Sequence, residues 1–262
     1  MENKSDESRK IGIYLLPNLF TTASIFAGFY AIVAAMNGHF STASVAIFIA
    51  AIMDTLDGRV ARLTNTESHF GAEYDSLADI ISFGVAPALI VYTWAFKPIV
   101  QMEQVGWLIA FIFVAAAALR LAKFNSNMGT GSKRYFSGLP VPAAASFLVA
   151  LVWVGNINKF HGMTLSVFVG IATLFVAIMM VSNIKFRSFK DYDVKGKVGF
   201  TTVVFVVLIF ACIAIDPAHV LFFVFGLYAF SGPVVSIWCK VMGIDGNEKY
   251  KDDDAINDES AE

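Results

Sequence analysis

The chain has 262 residues, 57% hydrophobic, 14% aromatic and only 15% charged, with a net charge of −2. An ordinary soluble domain carries about 25% charged residues, and one core of this size cannot hide so much apolar surface. The composition excludes a disordered chain, a disulfide scaffold and a basic nucleic-acid binder, and it points to an integral membrane protein.

A helix crosses the bilayer with about 20 apolar residues. In chain order, runs of that kind predict spans at 13–36, 41–62, 77–96, 105–124, 139–157, 163–183, 198–215 and 219–242. The first follows Arg9 and Lys10 but ends without a small-residue cleavage site, so it reads as a retained helix. Short connections favour antiparallel neighbours. The expected fold is all-α, a polytopic membrane helical bundle of about eight transmembrane helices. A short cytoplasmic segment, 1–12, precedes it. Residues 243–262 hold eight acidic residues against two lysines and read as a disordered cytoplasmic tail.

The positive-inside rule tests this layout. With the N-terminus inside, every Lys and Arg falls in an inner segment except Lys97 and Lys159. Both termini are therefore expected in the cytoplasm, with the chain in a bacterial inner membrane. His39, His161 and His219 are expected in outer loops. Cys212 and Cys239, far apart in apolar runs, have no metal-ligand spacing.

Four carboxylates stand where a membrane disfavours them. Asp54 and Asp57 lie three apart directly after an apolar run; Asp75 and Asp79 lie four apart directly before another. Those spacings put each pair on one helix face, and a short loop can bring the pairs together. Ionisable residues at this depth are a functional hypothesis by default. A hard divalent cation would supply the missing charge, and an oxygen-only ligand set points to Mg²⁺ or Mn²⁺. Gly58 and Ala61 remove bulk beside the carboxylates, Gly71 opens the facing helix, and Arg62 can pair with a phosphate. Together they describe a nucleotide–diphosphate site near the cytoplasmic surface. His69 lies close by and is a weaker ligand, given all-oxygen partners.

The pattern D54-x2-D57-G58-x2-A61-R62-x8-G71-x3-D75-x3-D79 resembles the complete signature of the CDP-alcohol phosphatidyltransferase family. The resemblance implies an all-helical, typically homodimeric membrane fold with a six-helix catalytic core, here with two added C-terminal spans. It implies transfer of a substituted phosphate from a CDP-linked donor to an alcohol, with release of CMP. Asp54, Asp57 and Asp75 would be metal ligands, and Asp79 the general base, also able to touch a metal. Gly58, Ala61, Arg62 and Gly71 would contact the cytidine diphosphate, with Ser68 assisting.

Segments 16–29, 76–88, 119–125, 135–145 and 181–191 resemble the branch of the family that uses CDP-diacylglycerol and L-serine. Serine brings a carboxylate, which needs a cation. Arg120 and Arg134, with Asn125 nearby, are the candidate acceptor residues. Glycerol-3-phosphate or an inositol phosphate is the alternative acceptor, and a cation transporter is the alternative of another class.

Overall fold

The computed structural model describes residues 2–64, 66, 68–126, 135–187 and 200–242. In lipid, backbone N–H and C=O groups must be satisfied within the segment, so apolar runs become helices. They are α1 (Glu2–Met36), α2 (Phe40–Leu63), α3 (His69–Asp79), α4 (Ala86–Val91), α5 (Val100–Ser126), α6 (Val141–Ile157), α7 (Met163–Val181), α8 (Phe200–Ile215) and α9 (Pro217–Val241). A π-helical stretch, Ile80–Val85, joins α3 to α4, and a second, Tyr92–Phe96, follows α4. These pieces form one continuous span, His69–Phe96. With that composite counted once, the described residues hold eight helical segments, which fits the expected number of about eight.

Among the described residues, six spans are long and apolar enough to cross a membrane alone. α6 has 17 residues and α8 has 16. α6 can be short because it is the central helix: α2, α4, α7 and α9 pack around it, and most of its side chains are buried. The third span starts at His69, not at 77, and α1 is already helical from Glu2. Hydropathy reads the thickness of hydrocarbon, whereas a helix continues into the polar layer wherever its own hydrogen bonds and caps allow. A short antiparallel pair, β1 (Tyr135–Ser137) and β2 (Lys185–Arg187), was not expected; it sets Phe136 opposite Phe186. His219 lies in the first turn of α9, not in a loop, and pairs with Asp216 at 2.7 Å. Residues 243–262 lie outside the described residues.

Small side chains set the helix spacing. Ala27, Ala31, Ala34 and Ala35 of α1 and Ala43, Ala46 and Ala50 of α2 are all buried, so the two backbones approach closely. Gly38, with φ +79°, makes the tight connection between them. Buried hydroxyls find carbonyls across helices: Ser44 donates to Val149 O at 2.9 Å and Ser82 to Ser24 O at 3.0 Å. Phe26, Phe29, Phe111, Ile171 and Phe223 are exposed, as lipid-facing residues would be.

Candidate functional site

The site lies where α2 faces α3. Asp54, Asp57 and Asp75 each offer one carboxylate oxygen, and these atoms lie within 4.8 Å of one another. Asp79 adjoins them: its carboxyl shares a hydrogen bond with Asp54 and also faces Asp57 and Asp75. At an effective dielectric of 20, two unit charges at this separation repel by about 3 kcal/mol per pair. The cluster therefore calls for a cation. Its donors are all oxygens, which fits a hard divalent ion. Asp79 Oδ1 is buried with no hydrogen-bond partner among the described residues, so an acceptor remains to be satisfied. His69 is exposed at the start of α3 and does not belong to this ligand group.

Asp54, Asp57 and Asp75 lie inside their helices, and Asp79 closes α3 where the π-helical stretch begins. α2 continues from Asp57 to Leu63, and α3 begins six residues before Asp75. The cluster thus faces a cleft between two spans whose helical backbone runs on past it, whereas the transporter reading calls for unwound, broken helices.

Local structure holds the ligands in place. Asp57 is buried, and its Oδ2 accepts a hydrogen bond from Thr21 Oγ1 of α1 at 2.7 Å. Its carboxylate also accepts from the Gly58 backbone N–H. Thr22 of α1 meets Tyr74 of α3, hydroxyl to hydroxyl, at 2.9 Å. α1 is therefore a third wall of the site. The signature aspartates did not reveal this wall; the only signal was the segment 16–29. Groups that orient metal ligands typically contribute 10–100-fold to affinity. Thr21→Val is expected to weaken divalent-metal binding by about that factor, measured by Mn²⁺ titration of the purified protein. Unchanged affinity would remove Thr21 from the site.

The expected diphosphate cradle is partly visible. A Cβ on Gly58 would meet nothing within 4 Å, so this position borders open space beside Asp54 and Asp57. Arg62 is exposed, and its Nε donates to Gly58 O at 2.9 Å, which anchors the guanidinium along the same face. Ala61 is half-buried one turn on from Asp57. Ser68 is the N-cap of α3: its Oγ accepts from Gly71 N at 3.0 Å. Its hydroxyl hydrogen is not used in that bond. Gly71 is tight against this cap, where a Cβ would lie 3.1 Å from Ser68 Oγ.

The acceptor candidates part company. Arg120 of α5 is buried, 8% exposed, and faces Asp79. Its Nε is buried without a hydrogen-bond partner among the described residues. Asn125 reaches α3 directly, donating from Nδ2 to Ser76 Oγ at 3.0 Å, between the turns that carry Asp75 and Asp79. Arg134 lies outside the described residues. Lys123, one turn from Arg120, turns instead to Asn183 Oδ1 at 2.7 Å.

Comparison with known proteins identifies the family. A Helicobacter pylori (strain J99) protein named CDP-diacylglycerol–serine O-phosphatidyltransferase is 39% identical over 232 residues, which cover 87% of this chain and 94% of the relative. A Mycobacterium bovis protein of the same name is 37% identical over 157 residues, 58% of this chain and 54% of that protein. An archaetidylserine synthase of Methanothermobacter thermautotrophicus is 34% identical over 173 residues, 65% of this chain and 69% of its own. Residues 14–179 match the model of the family described as CDP-alcohol phosphatidyltransferase, and this chain belongs to that family.

Proposed function

We propose that this chain transfers the phosphatidyl group of CDP-diacylglycerol to L-serine and releases CMP. The observation that carries the reading is a buried, incompletely bonded Arg120 beside Asp79, at the edge of the carboxylate cluster. Such a cation suits the carboxylate of an amino-acid acceptor, and it stands next to the group that would take the acceptor's proton. The names of the relatives, which include an enzyme named for a serine product on a different lipid, support the same acceptor.

In this reading Asp54, Asp57 and Asp75, with Asp79 alongside, hold Mg²⁺ or Mn²⁺. When bound, the ion supplies charge neutralisation at the diphosphate. Gly58, Ala61 and Gly71 let the cytidine diphosphate approach the helix backbones. Arg62 and Ser68 meet its phosphate oxygens. The acyl chains remain in the membrane, entering sideways between spans. Arg120 takes the serine carboxylate, with Asn125 and Arg134 beside it. Asp79 removes the proton from the serine hydroxyl as that oxygen attacks the lipid-side phosphorus. The bond from that phosphorus to the bridging oxygen breaks, and CMP leaves with that oxygen. A direct displacement is favoured because, among the described residues, no Ser, His or Cys beside the aspartates is set up as a nucleophile. The chain works as a homodimer with the site and both termini on the cytoplasmic face.

The test supplies purified protein and CDP-diacylglycerol with labelled L-serine, glycerol-3-phosphate or an inositol phosphate, each with Mg²⁺ or Mn²⁺. CMP release with serine, and a labelled lipid product from serine alone, is the expected result. Preferential labelling from either of the other acceptors would overturn the serine assignment and leave the family chemistry intact.

A further inference from the structure

The span His69–Phe96 and α5 follow one another across a short connection and run antiparallel. Two contacts join them. At one end, Asn125 of α5 donates from Nδ2 to Ser76 Oγ of α3 at 3.0 Å. Two turns further along, α5 packs against the π-helical stretch, where a Cβ on Gly84 would lie 3.6 Å from the Cβ of Ala117. Ser76 and Gly84 are eight residues apart; Ala117 and Asn125 are also eight apart, in reverse order. That is the pairing of two antiparallel helices in one fixed register.

The charged groups of the site lie inside this bracket. Asp79 comes three residues after Ser76, and Arg120 comes three residues after Ala117. The contact at Gly84 limits how closely the backbones approach, but dispersion has no preferred direction along the helix axis. A hydrogen bond does have one. Ser76 Oγ is itself held, because its hydroxyl donates to Ala72 O at 3.0 Å, which leaves the oxygen lone pairs for Asn125. On its other side α5 packs on α7, and Lys123 is bound to Asn183 just past the end of α7. α5 and α7 thus form one body, and the bond from Asn125 to Ser76 ties that body to the helix that carries Asp75 and Asp79.

We infer that Ser76 is a positioning residue of the acceptor site: by accepting the Asn125 bond it fixes the register of α5 against α3, and so sets where Arg120 stands relative to Asp79. A slip of one residue would move Arg120 by about 1.5 Å along the axis. Displacements of about 1 Å are enough to impair a group that must meet a substrate in one geometry. Ser76 occupies a variable position of the aspartate signature, between two fixed ones, so the pattern by itself gives it no role. This inference rests on the reading that the acceptor binds at Arg120.

The experiment uses the full-length protein, CDP-diacylglycerol and the acceptor that wild-type protein labels in the screen above. Ser76→Ala deletes the hydroxyl, and Ala is the better helix former, so α3 itself is not weakened. The expected result is a rise of about fivefold in the KM for the acceptor, the usual effect of one neutral hydrogen bond. The KM for CDP-diacylglycerol, the Mn²⁺ affinity and the melting temperature should stay at their wild-type values. Ser76→Thr keeps the hydroxyl and should restore the acceptor KM. In an Asn125→Leu background, Ser76→Ala should cause no further rise, because Ser76 acts through Asn125. An unchanged acceptor KM, an equal rise in both KM values, weakened Mn²⁺ binding, no rescue by Ser76→Thr, or fully additive effects in the double variant would each overturn the assignment. The wild-type arm keeps this apart from the broader reading. If wild-type protein labels an acceptor other than serine, the serine proposal fails and Ser76 is tested with that acceptor; if it labels serine and Ser76→Ala is silent, only the role of Ser76 fails.

Discussion

Asp79→Asn is expected to leave the protein folded and to lower kcat by about 10²–10⁴-fold, the usual contribution of a positioned general base. Asn keeps the shape of the side chain and can still bond to Asp54, so the cleft should retain its form. It cannot accept the proton of the attacking hydroxyl. The substitution also removes one member of a cluster whose charges repel by about 3 kcal/mol per pair. Without a divalent ion, the variant should therefore melt at or above the wild-type temperature. CMP release and thermal melting in detergent measure the two effects. Near-normal turnover in a folded variant would remove Asp79 as the base.

Removal of divalent metal should abolish turnover, with a loss on the order of 10³-fold or more that Mg²⁺ or Mn²⁺ restores. The same ion should raise the melting temperature, because a ligand that binds only the folded state at 100 times its Kd stabilises it by about 2.7 kcal/mol. Asp57→Asn should lose both responses. Asp57 is buried and takes hydrogen bonds from Thr21 and from the Gly58 N–H, so its carboxylate is held in place. A melting curve that stays metal-independent in the wild type, or metal-dependent in Asp57→Asn, would break the assignment of the cluster without reference to activity.

The carboxylate site was legible in the chain for a specific reason. Charge is scarce here, at 15% of residues, and a hydrocarbon environment disfavours isolated carboxylates. Four at helical spacing therefore stand out. Helical periodicity also carries the pairing within Asp54–Asp57 and within Asp75–Asp79, since residues three or four apart share a face. The spans were legible because hydropathy measures the apolar stretch directly. Their ends were not, as the start of the third span at His69 shows. The Ser68 cap and the polar first turn of α3 extend the helix beyond the hydrocarbon. The π-helical stretch after Asp79 left no readable mark in the sequence, and neither did the small sheet.

Contacts between distant segments were beyond the sequence's reach. Thr21 is 36 positions from Asp57, and Asn125 is 49 from Ser76. A Thr in an apolar helix reads as an ordinary small residue. The sequence by itself determined the membrane class, the helical segments, the family chemistry and the four aspartates, because these depend on composition and local spacing. Only the tertiary structure decided which third helix supports Asp57 and which arginine is buried near the carboxylates. Those facts depend on how close the backbones can approach, and that is set jointly by alanines and glycines on different helices.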